Sequence, residues 1–76
     1  MTFQKYVVTT IPTWANKEIE EARFNTFEEA KVYCEKSYNG NALNLYRYGY
    51  SHSDFYNADI LEDVMLIDTY DNGKWA

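Results

Sequence analysis

His52 is the one imidazole of the chain and sits in Ser51-His52-Ser53-Asp54, where hydroxyl, imidazole and carboxylate follow one another. A hydrolytic trio needs its nucleophile, base and orienting acid to converge on one point. Neighbouring residues point in different directions, so this run reads as a polar loop. Cys34, the single thiol, falls on the inner face of a helix, where cysteine acts as a small apolar residue. One cysteine also excludes an internal disulfide and a cysteine-built zinc site. Carboxylates come in pairs, Glu20-Glu21, Glu28-Glu29 and Glu62-Asp63. Glycosidase chemistry would need such a pair across a cleft, and Asp59, Glu62, Asp63 and Asp68 lack the spacing of an EF-hand loop. The three glycines are scattered, with no phosphate loop and no His-x-x-x-His pair. The expectation is a non-enzymatic chain with no catalytic residue, no metal ligand and no cofactor.

Binding chemistry is better represented. Twelve Asp and Glu against seven Lys and Arg leave a net charge of −5. That balance argues against a general basic surface for nucleic acid. The charge is also unevenly spread. Residues 1–38 hold five bases and six acids, whereas between Tyr48 and Gly73 stand Asp54, Asp59, Glu62, Asp63, Asp68 and Asp71 with no Lys or Arg. Tyr48, Tyr50, Phe55, Tyr56 and Tyr70 are interleaved with these acids. Acids steer a basic partner, and aromatic rings anchor it over a large area at low entropy cost. The plainer reading of the same run is a solvated acidic face.

Eight of the 76 residues are tyrosine, and Tyr46, Tyr48 and Tyr50 recur at strand spacing. If Leu43 and Leu45 face a covering helix, the three rings line the opposite face, where an aromatic strip marks an interface. The plainer alternative is sheet filling against neighbours such as Tyr6. Aromatic rows can also stack the bases of single-stranded nucleic acid. Arg47 is the one cation in the row, so phosphate neutralisation is lacking and nucleic acid ranks below protein.

These groups need a scaffold. Phe3–Ile11 reads as a strand ended by Pro12, with Phe3, Val7 and Ile11 on one face and Tyr6 and Val8 on the other. Glu18–Phe24 follows as a second strand with room for a bulge. Thr26-Phe27-Glu28-Glu29 is a capping box, and Phe27, Ala30, Cys34 and Tyr38 fall at helical spacing, predicting a helix over 27–38 with a left-handed exit at Asn39-Gly40. Ala42–Tyr50 predicts a third strand and Ser51–Ala58 a polar, aromatic loop. Asp59–Glu62 reads either as a helical turn or as the approach to a strand over Val64–Tyr70. Asp71-Asn72-Gly73 then turns the chain into a short last strand at Lys74-Trp75. The sum is an α+β fold of two layers, one helix packed on an antiparallel sheet of four or five strands in a ββαββ order.

A chain of 76 residues is a single domain, 1–76, with roughly 60% of its unfolded surface buried. Its start lacks the charged and apolar regions of a signal peptide. Val64-Met65-Leu66-Ile67 is far shorter than the ~18 apolar residues of a membrane span. No membrane contact and a cytoplasmic location are expected.

Phe24-Asn25-Thr26-Phe27-Glu28-Glu29-Ala30, joining strand to helix, and the closing Asp71-Asn72-Gly73-Lys74-Trp75 give the chain a build that resembles the small acidic accessory proteins of bacteriophages, the type that includes anti-CRISPR proteins and other host inhibitors. The resemblance implies stoichiometric binding to a host protein in the host cytoplasm, through acids that occupy a nucleic-acid site. On the residues, the expected partner-binding set is Tyr46, Tyr48, Tyr50, Asp54, Phe55, Tyr56, Asp59, Glu62 and Asp63. The expected partner is a larger protein with a basic surface. The alternative is a homodimer paired through the tyrosine face or an edge strand, and the third reading is a single-stranded nucleic-acid binder.

Overall fold

The computed structural model describes residues 2–76. Among these residues the order is β1 (Thr2–Thr10), β2 (Ile19–Phe24), α1 (Phe27–Ser37), β3 (Leu43–Ser53), β4 (Ala58–Asp71) and β5 (Lys74–Trp75). The strands form one antiparallel sheet in the spatial order β2-β1-β3-β4-β5, and α1 packs over β1, β2 and β3. The α+β fold of one helix on an antiparallel sheet thus stands, with ββαβββ as its order.

Local chemistry explains the helix. Thr26 is extended and its hydroxyl accepts the Glu29 amide at 3.3 Å, while Glu28 and Glu29 sit in the first turn at the positive end of the dipole. In a full capping box the Glu29 carboxylate would accept from the Thr26 amide; here it accepts from the Thr26 hydroxyl at 2.9 Å. The exit differs too. Tyr38 caps the helix in an extended conformation, and the positive φ of 104° falls on Gly40 in the following turn. At the far end of the chain, Asn72 (φ 52°) and Gly73 (φ 80°) both turn left-handed, as a two-residue hairpin demands.

Alternation divides the sheet into two faces. Val8, Leu43 and Leu45 are buried beneath Ala30 and Cys34, with Tyr6, Phe24, Tyr33, Tyr38, Tyr70 and Trp75 packed around them. This helix face is the main core. Val7, fully buried, belongs to the other face, where its cross-strand partner is Tyr46. Lys5 with Tyr48 and Phe3 with Tyr50 continue that second face.

The largest departure from expectation concerns residues 51–62. Pairing of β3 with β4 runs on through Ser51↔Ile60, His52↔Asp59 and Ser53↔Ala58, so the expected loop over Ser51–Ala58 contracts to the turn Asp54–Asn57. Ser53 Oγ accepts the Tyr56 amide at 3.3 Å, and Asn57 takes φ 50°, a left-handed conformation that asparagine tolerates. Asp59–Glu62 is strand, not a helical turn, because its backbone completes this ladder. Two bulges interrupt β4, one at Ile67 between the pairs Leu45↔Asp68 and Tyr46↔Leu66, the other at Glu62 between Gly49↔Asp63 and Tyr50↔Leu61. Each extra residue flips the strand's alternation. Leu61, Val64 and Leu66 consequently share the tyrosine face although their spacing is irregular.

Candidate functional site

The tyrosine row forms as the strand spacing predicts. Tyr46, Tyr48 and Tyr50 project from β3 on the face opposite Leu43 and Leu45, with ring centroids 6.3 Å and 6.4 Å apart along the row. Phe3 stacks on Tyr50 at 5.5 Å. The rings are half-buried, not free. Two residues that the sequence reading passed over hold them. Arg23 of β2 chelates Glu20 at 2.7 and 2.9 Å, donates to the Tyr50 hydroxyl at 2.6 Å and lies 5.3 Å from the centre of the Tyr48 ring. Glu20, then Tyr50, holds the guanidinium above its ordinary pKa. An arginine facing a tyrosine two strands away leaves no local spacing signal, which is why it was missed.

Glu18, at the entry to β2, performs the second clamp. One carboxylate oxygen accepts from the Thr9 hydroxyl, from Asn44 Nδ2 at 3.0 Å and from the Tyr46 hydroxyl at 2.8 Å. The Thr9 and Tyr46 hydroxyls, followed by Asn44, hold this carboxyl below the usual carboxylate range despite a small desolvation in the opposite sense. The same bond favours the protonated phenol, so the pKa of Tyr46 is raised. Two of the three phenols in the row therefore spend their hydroxyls on the protein itself.

The remaining expected residues lie on the hairpin beyond the helix. Phe55 and Tyr56 occupy its tip, edge to face at 4.8 Å, and are 88% and 70% exposed. Asp54 beside them is fully exposed. Asp59 is on the tyrosine face, where it meets His52 Nδ1 at 3.0 Å, while His52 Nε2 lies 3.6 Å from Asp54. Ser53 points to the other face, so Ser53, His52 and Asp54 do not assemble as a nucleophile, base and acid. Glu62 accepts from the Ser51 hydroxyl, and Asp63 lies 3.9 Å from Arg47; both belong to the helix face. The nine residues thus fall into three neighbouring groups. The clamped row holds Tyr46, Tyr48 and Tyr50. Asp54, Phe55, Tyr56 and Asp59 gather at the tip, and Glu62 with Asp63 stands on the reverse side of β4.

Strand β4 adds what the charge pattern alone did not show. Every residue from Ala58 to Ile67 is exposed, including Ile60, Leu61, Val64, Met65, Leu66 and Ile67. Two depressions lie at the β2–α1 corner: one is bordered by Glu28, Val32 and Tyr33, the other by Lys5, Arg23 and Asn25, and Arg23 is the residue that holds Tyr50. Among the described residues no group of three or more His, Cys, Asp or Glu is placed to hold a metal ion, and no helix is long and apolar enough to cross a membrane. No family model, curated protein or solved structure matches the chain.

Proposed function

We propose that this chain is a non-enzymatic protein-binding module, an inhibitor or modulator that sets its acidic, aromatic hairpin against a basic site of a larger host protein. The observation that carries the reading is the hairpin tip: Phe55 and Tyr56 stand almost free beside Asp54 and Asp59, in a stretch without a single Lys or Arg from Tyr48 to Gly73. Free rings supply anchoring area and the surrounding carboxylates supply steering and register. Blocking nucleic-acid access to that basic site is the proposed mode of inhibition, as the resemblance in type to small acidic phage accessory proteins would imply, and the host cytoplasm is the proposed location.

The test is a pair of baits in lysate of the source cell or its host, the natural chain and D59K/E62K/D63K. The reading requires a captured protein whose binding is lost in the charge-reversed bait and weakens steeply with salt. Equal capture by both baits refutes it. Exposed Leu61, Val64 and Leu66 favour a homodimer as the second reading. Sedimentation showing a monomer at high concentration removes that alternative.

A further inference from the structure

We infer that the outer edge of β4 receives an extended, basic segment of the partner as an added strand; this specifies the contact made by the protein-binding surface proposed above and rests on that reading. Strand β5 covers only Tyr70 and Asp71, and the Ala76 amide takes the Thr69 carbonyl at 2.9 Å. From Ala58 to Asp68, among the described residues, β4 pairs with β3 on one side and with no strand on the other. That leaves an edge of about 35 Å, at the ~3.3 Å rise of a strand, whose outward amides and carbonyls lack a sheet partner. Soluble proteins blunt such an edge with charged side chains, lysine above all, with proline, bulges or a covering segment; on β4 the two bulges stand at Glu62 and Ile67 and leave Asp63–Leu66 regular between them. Here the strand has no Lys, Arg or Pro and exposes apolar side chains instead.

Charge selects the occupant. Asp59, Glu62, Asp63 and Asp68 lie along the open edge with no cation on the strand. Pairing two copies edge to edge would bring both sets of carboxylates together, and like charges in facing strands are destabilising. A basic strand meets the opposite situation. The two faces also differ. Leu61, Val64 and Leu66 extend the Tyr50, Tyr48 and Tyr46 row, with Asp59 at its far end, whereas Glu62, Asp63 and Asp68 stand on the helix face together with Ile60 and Met65. A partner strand that alternates basic and apolar residues places its apolar side chains beside the first set and its cations beside the second. Between the two bulges, Asp63–Leu66 keeps a regular ladder with Tyr46–Gly49, and this is where a straight added strand enters register. Backbone bonds supply affinity in such augmentation, and alternate side chains supply specificity.

The experiment titrates the isotope-labelled chain with a capped peptide of about eight residues alternating lysine and valine, long enough to span the regular ladder. Two further peptides serve beside it, the same sequence N-methylated at alternate residues and one with glutamate for lysine. The inference requires amide shifts centred on Asp63–Leu66, new exchange protection of outward β4 amides and at least tenfold weaker binding of the N-methylated peptide. The glutamate peptide must leave the spectrum unchanged. Equal binding of the N-methylated peptide overturns the edge while leaving an electrostatic docking surface intact. Absence of binding by the lysine peptide, or sedimentation of a dimer whose β4 amides are protected without peptide, also overturns the edge. The paired-bait capture then judges the broader reading separately.

Discussion

Leu45 and Leu66 show how differently one residue type is used on adjoining strands. Leu45 is fully buried under α1, whereas Leu66 is 51% exposed on β4. Truncating Leu45 to alanine therefore costs about 2–5 kcal/mol in urea unfolding. Leu66→Ala changes stability by less than about 1 kcal/mol, because half of its surface is already in water. Glu18 sets a second expectation. Its pKa is lowered in the folded state, so the stability it adds is full above the ordinary glutamate value of about 4.3 and is lost as pH falls through the lowered one. In unfolding measured from about pH 6 to about pH 3, the advantage of the natural chain over Glu18→Gln shrinks as acid is added. A gap that stays constant as acid is added would mean that the carboxylate gains nothing from its three donors.

The elements differ in how firmly they are held. Thr26→Ala removes the acceptor for the Glu29 amide and lowers stability by about 1 kcal/mol in thermal or urea unfolding, with the helix otherwise unchanged. Strand β4, exposed from Ala58 to Ile67 and over that span paired on one side, is expected to open at lower cost than the rest. Native-state exchange is the check: the expected outcome is that β4 amides exchange at lower opening free energy than those of the buried Val7, Val8 and Leu45. Helix α1 and strands β1, β2 and β5 were legible within a residue or so, because caps, β-branched runs and the Asn-Gly turn are local signals. The upper half of the hairpin was not. Ser51, His52 and Ser53 are polar, so alternation gave no hydrophobic rhythm, and it is the cross-strand pairing to Ala58, Asp59 and Ile60 that makes them strand. The bulges at Glu62 and Ile67 hid which side chains share a face. Of the site, the tyrosine row could be read from its period of two; its clamps, Arg23 and Glu18, reach it from another strand and left no such trace.

At the scale of the molecule the principal extents are 44 × 27 × 16 Å, a thin slab whose helix protects one end of one face. Cys34 lies in that protected core, where burial raises its thiol pKa to about 11. Labelling by a thiol reagent near pH 8 thus proceeds only at the rate of opening. Adding urea accelerates it in step with unfolding, whereas prompt labelling of the native chain would show that the helix lifts by itself. The order of the strands carries one more consequence. Strand β1 ends up between β2 and β3, yet its second neighbour is made some forty residues later in the chain, as Thr2↔Ser51 and Tyr6↔Arg47 record. During synthesis β1, β2 and α1 emerge before β3, as a two-stranded ribbon with one helix against it, and a two-stranded ribbon is marginal in water. The Val-Val-Thr-Thr run then waits half-satisfied until β3 emerges to close it, so the nascent chain passes through its most adhesive moment before its centre exists.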